Sequence, residues 1–66
     1  MIILFDTVMG KAVEKIEGSI AQAEEMAMGY CNPGEKISQR PVKVKGGKTG
    51  ICFSTPTDFE VVYFKS

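Results

Sequence analysis

The two cysteines, Cys31 and Cys52, carry the most reactive side chains of the chain, and histidine is absent. Without histidine, the chain lacks the commonest general base, the commonest metal ligand and the imidazole of Ser/His and Cys/His catalytic pairs. A structural zinc site needs four ligands, and neither cysteine belongs to a C-x-x-C pair. The residue types therefore predict that the chain has no self-sufficient catalytic site and binds no metal or cofactor. They also predict that both cysteines are free thiols, buried or partly buried.

Two short segments are similar to phosphate-handling motifs. Residues 45–50, Lys-Gly-Gly-Lys-Thr-Gly, match part of a P-loop, but Val42 stands where that loop needs its first glycine, and a strand rather than a helix follows. Asp6 ends an apolar run, as nucleophilic aspartates at strand ends do, but such sites need a second acid, a metal and a large α/β scaffold. We therefore predict that residues 45–50 form a hairpin turn and that Asp6 is a turn or helix-capping residue.

Basic residues are concentrated in one acid-free stretch of the sequence. Five of the eight lie there, and in a hairpin Lys43, Lys45 and Lys48 share one face; the five are Lys36, Arg40, Lys43, Lys45 and Lys48. Such a face can follow a phosphate backbone, which makes nucleic-acid binding an alternative function. The formal net charge of zero favours a solvated strand face that guards against edge-to-edge aggregation.

The elements that must position these residues form one small domain, residues 1–66. The apolar fraction of 44% and the charged fraction of 24% are typical of a folded globular protein. Asp6 interrupts the first apolar run and no basic residue precedes it, which argues against a signal peptide. No apolar run reaches the roughly 18 residues of a membrane span. These features, with only two cysteines, predict a cytoplasmic protein without membrane contact.

Apolar residues from Lys11 to Tyr30 recur at spacings of three and four, which favours one amphipathic helix: Val13, Ile16, Ile20, Ala23, Ala27 and Tyr30. An alternative stays open. Gly18 costs a helix interior about 1 kcal/mol relative to alanine, and Ser19 with Gln22 fits a capping box. In that alternative the helix begins at Ser19 and residues 11–17 form a second strand.

Three further segments predict strands. Ile2–Val8 and Phe59–Lys65 are apolar and rich in β-branched or aromatic residues, and residues 42–53 read as a hairpin around Gly46-Gly47. In this hairpin Val42, Ile51 and Phe53 share one face and Cys52 lies on the lysine face. The predicted fold is α+β, in the order β-α-β-β-β, with one helix packed on a mainly antiparallel sheet of three to four strands.

The first and last strands are apolar on both faces, whereas one helix covers only one face of a sheet. In the last strand Val61 and Tyr63 point one way, and Val62 and Phe64 point the other. Either the sheet curls into a small barrel or a second copy or protein partner covers the other face. The leading hypothesis is a non-enzymatic interaction module that is homodimeric and binds a protein partner through this face, with Val62 and Phe64 as anchors.

Overall fold

The computed structural model describes residues 1–43, 46–47 and 49–65 of the chain. Within these ranges the element order is β1 (Ile2–Asp6), β2 (Lys11–Ile16), α1 (Ile20–Met28), β3 (Ser38–Lys43), β4 (Thr49–Ser54) and β5 (Phe59–Phe64). The strands form one five-stranded antiparallel sheet in the order β2-β1-β5-β4-β3. The α+β class is confirmed, whereas the predicted strand count and the order β-α-β-β-β were wrong because residues 11–16 form an additional strand.

The segment from Lys11 to Ile16 is a strand although its apolar spacing fits a helix. It pairs with β1 from Ile2 opposite Ile16 to Asp6 opposite Lys11, with a bulge where Leu4 and Phe5 of β1 meet it. This pairing gives hydrogen-bond partners to the backbone N–H and C=O groups along one edge of the segment. It also places Ile16 against the core. Tertiary pairing thus overrides the helical pattern, and the capping-box alternative is the observed one.

Gly18 marks the boundary between β2 and α1. A Cβ atom at this position would lie 2.6 Å from Ile2 Cδ1 and 2.7 Å from Gln22 Oε1. The absence of a side chain therefore lets the chain pass close to the buried end of β1 before the helix begins.

Helix α1 begins with a complete capping box. Ser19 Oγ accepts the Gln22 backbone N–H at 3.3 Å, and Gln22 Oε1 accepts the Ser19 backbone N–H at 2.8 Å. The helix ends at Gly29, whose N–H bonds the Glu25 carbonyl at 3.1 Å. Ala23 and Ala27 are buried, so the helix approaches the sheet closely through two small side chains.

We expect Ser19→Ala to lower the free energy of unfolding by about 1 kcal/mol, because the first turn loses a hydrogen-bond acceptor. In a domain of this size, that loss lowers Tm by about 4–8 °C. Thermal unfolding followed by circular dichroism measures the change. Ser38→Ala, an exposed serine on β3, is the matched control and is expected to leave Tm unchanged; equal Tm values for both variants would contradict the capping role.

The core lies between α1 and one face of the sheet. Its buried members come from β1, β4, β5 and α1: Ile2, Leu4, Ala23, Ala27, Phe53 and Val61. The strand registers agree, since Leu4 lies opposite Val61 and Val61 lies opposite Phe53. Residues opposite each other on neighbouring strands point to the same face, so these side chains form one layer beneath the helix.

The two edge strands differ. β3 contains Pro41, which has no N–H to offer, as is common for an edge strand. β2 is largely exposed and places Val13 at its bulge with 55% of its surface accessible.

In the part of the chain that the structure describes, no helix is long and apolar enough to cross a membrane.

Candidate interaction surface

The side of the sheet that faces away from α1 is the open face. Strand register places on it Ile3 and Phe5 of β1, Cys52 of β4, Glu60, Val62 and Phe64 of β5, and Arg40 and Val42 of β3. Ile3, Phe5, Val62 and Phe64 are half-buried, whereas Leu4 and Val61 on the helix side are buried. The predicted two-sided apolar character of β1 and β5 is therefore present, and the helix covers one side.

The ring of Phe64 lies over Gly50, its cross-strand neighbour. A Cβ atom at Gly50 would lie 2.7 Å from Phe64 Cδ1 and would also clash with the Tyr63 carbonyl oxygen. Only glycine leaves this space, so the phenyl ring is drawn over β4 instead of standing away from the sheet. The ring therefore adds apolar surface beside Val62.

A polar cluster interrupts the apolar open face. Cys52 Sγ donates a hydrogen bond to Glu60 Oε2 at 3.0 Å. Arg40 Nη2 lies 3.5 Å from the same carboxylate oxygen and donates to Cys52 Sγ at 3.9 Å. Ser54 Oγ lies 3.9 Å from the thiol. The cluster thus links β3, β4 and β5 on one face, through a thiol that is 1% exposed.

Burial raises the pKa of the Cys52 thiol, and its hydrogen bond to Glu60 raises it further. The contacts to Ser54 and Arg40 act in the opposite direction and are outweighed. The thiolate is the reactive form of cysteine, so both burial and protonation disfavour nucleophilic chemistry at this sulfur. Cys31 is half-buried and Cys52 is buried, which agrees with the predicted burial of the two cysteines.

The lysine-rich segment was predicted as one face of a two-residue hairpin. Lys45 and Lys48 lie outside the described residues, and the observed pairing joins Lys43 to Thr49 and Arg40 to Cys52. The observed pairing is shifted by one residue from the pairing that a two-residue turn would give. Val42 therefore lies on the same face as Cys52 and not on the face of Ile51. By the same alternation, Arg40 is on the open face and Lys43 is on the opposite one. Lys36 is exposed in the loop before β3.

Asp6 has the turn role that the sequence predicts. Its Oδ1 accepts the backbone N–H groups of Val8 at 2.9 Å and Met9 at 3.0 Å. Among the described residues, no group of three or more His, Cys, Asp or Glu side chains is arranged to hold a metal ion.

Comparison of the chain with protein-family models, curated proteins and solved structures finds no match. The functional argument therefore rests on the open face itself.

The polar cluster is the part of this surface that sequence reasoning missed. Glu60 has the same parity as Val62 and Phe64 in β5, so the two-residue period of a strand was sufficient to place it on the open face. Arg40 was grouped with the lysines, because its approach to Glu60 depends on the register of β3 on β4.

Proposed function

We propose that this chain is a small non-enzymatic interaction module, homodimeric, that binds a protein partner through its open face. The observation that carries the proposal is that α1 packs on one face of the sheet while Ile3, Phe5, Val62 and Phe64 remain half-buried on the other. Apolar side chains that stay partly exposed together on one face of a sheet are candidates for an interaction site. Val62 and Phe64, which lie on the central strand β5, are the proposed anchors.

The size of the domain also supports this proposal. A core beneath one short helix supplies only roughly 3–5 kcal/mol of net stability in a chain of this length. Covering the second face of the sheet removes more apolar surface from water, at about 25 cal/mol per Å². The gain in stability therefore favours the bound form of the domain.

A non-enzymatic role is supported by the residues that remain for chemistry. The chain has no histidine, and its buried Cys52 has a raised pKa. Two free thiols fit the reducing cytoplasm, which we propose as the compartment. Nucleic-acid binding by Lys36, Arg40, Lys43, Lys45 and Lys48 stays a prediction; the engagement of Arg40 by Glu60 on the open face weakens the support for it.

The test is a pull-down with the tagged protein from its source lysate, with and without nuclease. We expect Val62→Lys and Phe64→Lys each to reduce partner recovery at least about tenfold, because a lysine ammonium would have to be desolvated in the contact. Met28→Lys, at an exposed apolar residue of α1, is the matched control and should leave recovery unchanged.

Two results would overturn the proposal. One is equal recovery of partners by the wild type and both open-face variants. The other is recovery that nuclease abolishes and that a triple variant with Gln at positions 43, 45 and 48 also loses, since this outcome assigns the binding to the lysines.

A further inference from the structure

A small cavity lies on the helix side of the sheet, at the end where β4 begins and β5 ends. Its volume is about 200 Å³, and its lining residues belong to β4, to β5 and to the position after β5: Thr49, Gly50, Ile51, Tyr63 and Lys65. Ile51 lies opposite Tyr63, and both share the parity of the core residues Phe53 and Val61. The cavity is therefore separate from the open face.

Strand register sets two lysines on either side of Thr49. Lys43 of β3 pairs directly with Thr49. On the other side, the last pair between β4 and β5 is Gly50 with Phe64. One residue further along this register, Lys65 is level with Thr49. Because neighbouring strands are about 4.8 Å apart, this row sets the Cα atoms of the two lysines about 10 Å apart on one face, with a hydroxyl between them.

No acid in the described residues of these three strands shares the face of the two lysines. Glu60 is the one carboxylate of β3, β4 and β5, and it lies on the open face beside Arg40. The first turn of α1 carries no acid, and Glu17, which follows β2, is separated from β5 by β1. The two lysines therefore repel each other across Thr49, and an anion bound between them would reduce this repulsion.

The side chains of this row have the chemistry that recognises a phosphate group. Each lysine ammonium offers three N–H donors, and the hydroxyls of Thr49 and Tyr63 can each donate one more hydrogen bond. Hydrogen bonds from a cation to a phosphate oxygen are roughly twice as strong as bonds between neutral groups. The bound group is therefore expected to be a phosphate rather than a neutral polar group.

The rest of the cavity is apolar and aromatic. Tyr63 and Ile51 pack against the core and also line the cavity, so the core holds both side chains in place. An aromatic ring offers a stacking surface to a planar ligand ring. The volume of about 200 Å³ is smaller than the roughly 300–1,000 Å³ of a site for a drug-sized ligand. The cavity therefore has room for a phosphate group and one adjoining ring.

We infer that this cavity binds a small phosphate ester that carries a planar ring. Its phosphate lies over Thr49 between Lys43 and Lys65, and its ring contacts Ile51 and Tyr63. The site uses the helix side of the sheet, so it is independent of the proposed contact through the open face.

A titration followed by two-dimensional ¹H–¹⁵N NMR tests the inference, with adenosine 5′-monophosphate as the probe and adenosine as its phosphate-free counterpart. We expect the monophosphate to shift the amide signals of residues 49–51, 63 and 65 saturably, with a dissociation constant in the millimolar range. Adenosine is expected to bind at least about fivefold more weakly, because it brings no charge to the two lysines.

Two variants test the lysines directly. Lys43→Gln and Lys65→Gln are each expected to weaken binding of the monophosphate about threefold, as the loss of one exposed ion pair does. Lys11→Gln, an exposed lysine on the edge strand β2, is the matched control and is expected to leave binding unchanged. All three positions are exposed, and the NMR spectrum of each variant shows directly whether it is folded.

Three results would overturn the inference. They are the absence of saturable shifts at these residues, equal binding of adenosine and its monophosphate, and equal weakening by Lys11→Gln and by the two site variants. None of them bears on the proposed function, which is decided by partner recovery with Val62→Lys and Phe64→Lys on the other face.

Discussion

Phe53→Ala is expected to leave half or less of the protein folded at 25 °C. Phe53 is the largest fully buried side chain, at 1% exposure, and lies under α1 beside Val61. Truncating a buried phenylalanine costs about 3–5 kcal/mol through lost transfer free energy and the cavity left behind. This loss equals the roughly 3–5 kcal/mol of net stability expected for a domain of this size. Urea unfolding followed by far-ultraviolet circular dichroism measures it.

Phe64→Ala is the matched control for this prediction. Phe64 is a half-buried phenylalanine on the open face of the same sheet, so its truncation opens no enclosed cavity and is expected to cost less than about 1.5 kcal/mol. Both variants are compared at a protein concentration at which they are monomeric, so that self-association does not contribute to the free energy of unfolding. A cooperative unfolding transition for Phe53→Ala at the same urea midpoint as Phe64→Ala would contradict the assigned core.

Cys52 is expected to react with a thiol reagent at least about 100-fold more slowly than Cys31 in the native protein. Cys52 is 1% exposed and its pKa is raised by burial and by Glu60, whereas Cys31 is only half-buried. Alkylation of Cys52 therefore requires unfolding, and about 3 kcal/mol of stability lowers the reactive population by about two orders of magnitude. Iodoacetamide labelling at pH 8, with peptide mass spectrometry at timed intervals, gives both rates.

The labelling experiment has an internal control. In 8 M urea the two thiols are equally accessible, and their rates are expected to converge. If Cys52 reacts as fast as Cys31 without denaturant, then its thiol is not enclosed by Arg40, Glu60 and Ser54, and the polar cluster of the open face is not formed as described.

The strands with apolar residues on both faces were predictable from the sequence because side-chain direction in a strand follows a period of two. Val61 and Val62 sit next to each other in the chain and point to opposite faces, one buried beneath α1 and the other half-buried on the open face. The C-terminal half of the predicted helix was also correct, since Ala23 and Ala27 form its buried stripe. These features depend on local geometry and on the residue types alone.

The segment Lys11–Ile16 was misassigned because its spacing satisfies both a helix and a strand. Val13 and Ile16 are three residues apart, as a helix requires, yet the segment pairs with β1 and leaves Val13 exposed. The free edge of β1, which lies next to this segment in the chain, decides the outcome, and the apolar spacing within the segment does not reveal that edge. The capping box at Ser19 was the local signal that favoured the observed boundary.

Residue types and their local periodicity are sufficient to predict a small α+β domain with a helix, strands that are apolar on both faces and no histidine chemistry. The position of β5 between β1 and β4, and the approach of Arg40 to Glu60 across Cys52, follow instead from the assembled sheet. Strand register explains this difference, because a shift of one residue between β3 and β4 moves every side chain of β3 to the other face. Register is set by pairing between distant segments, so the open face and its polar cluster become visible only once the sheet is assembled.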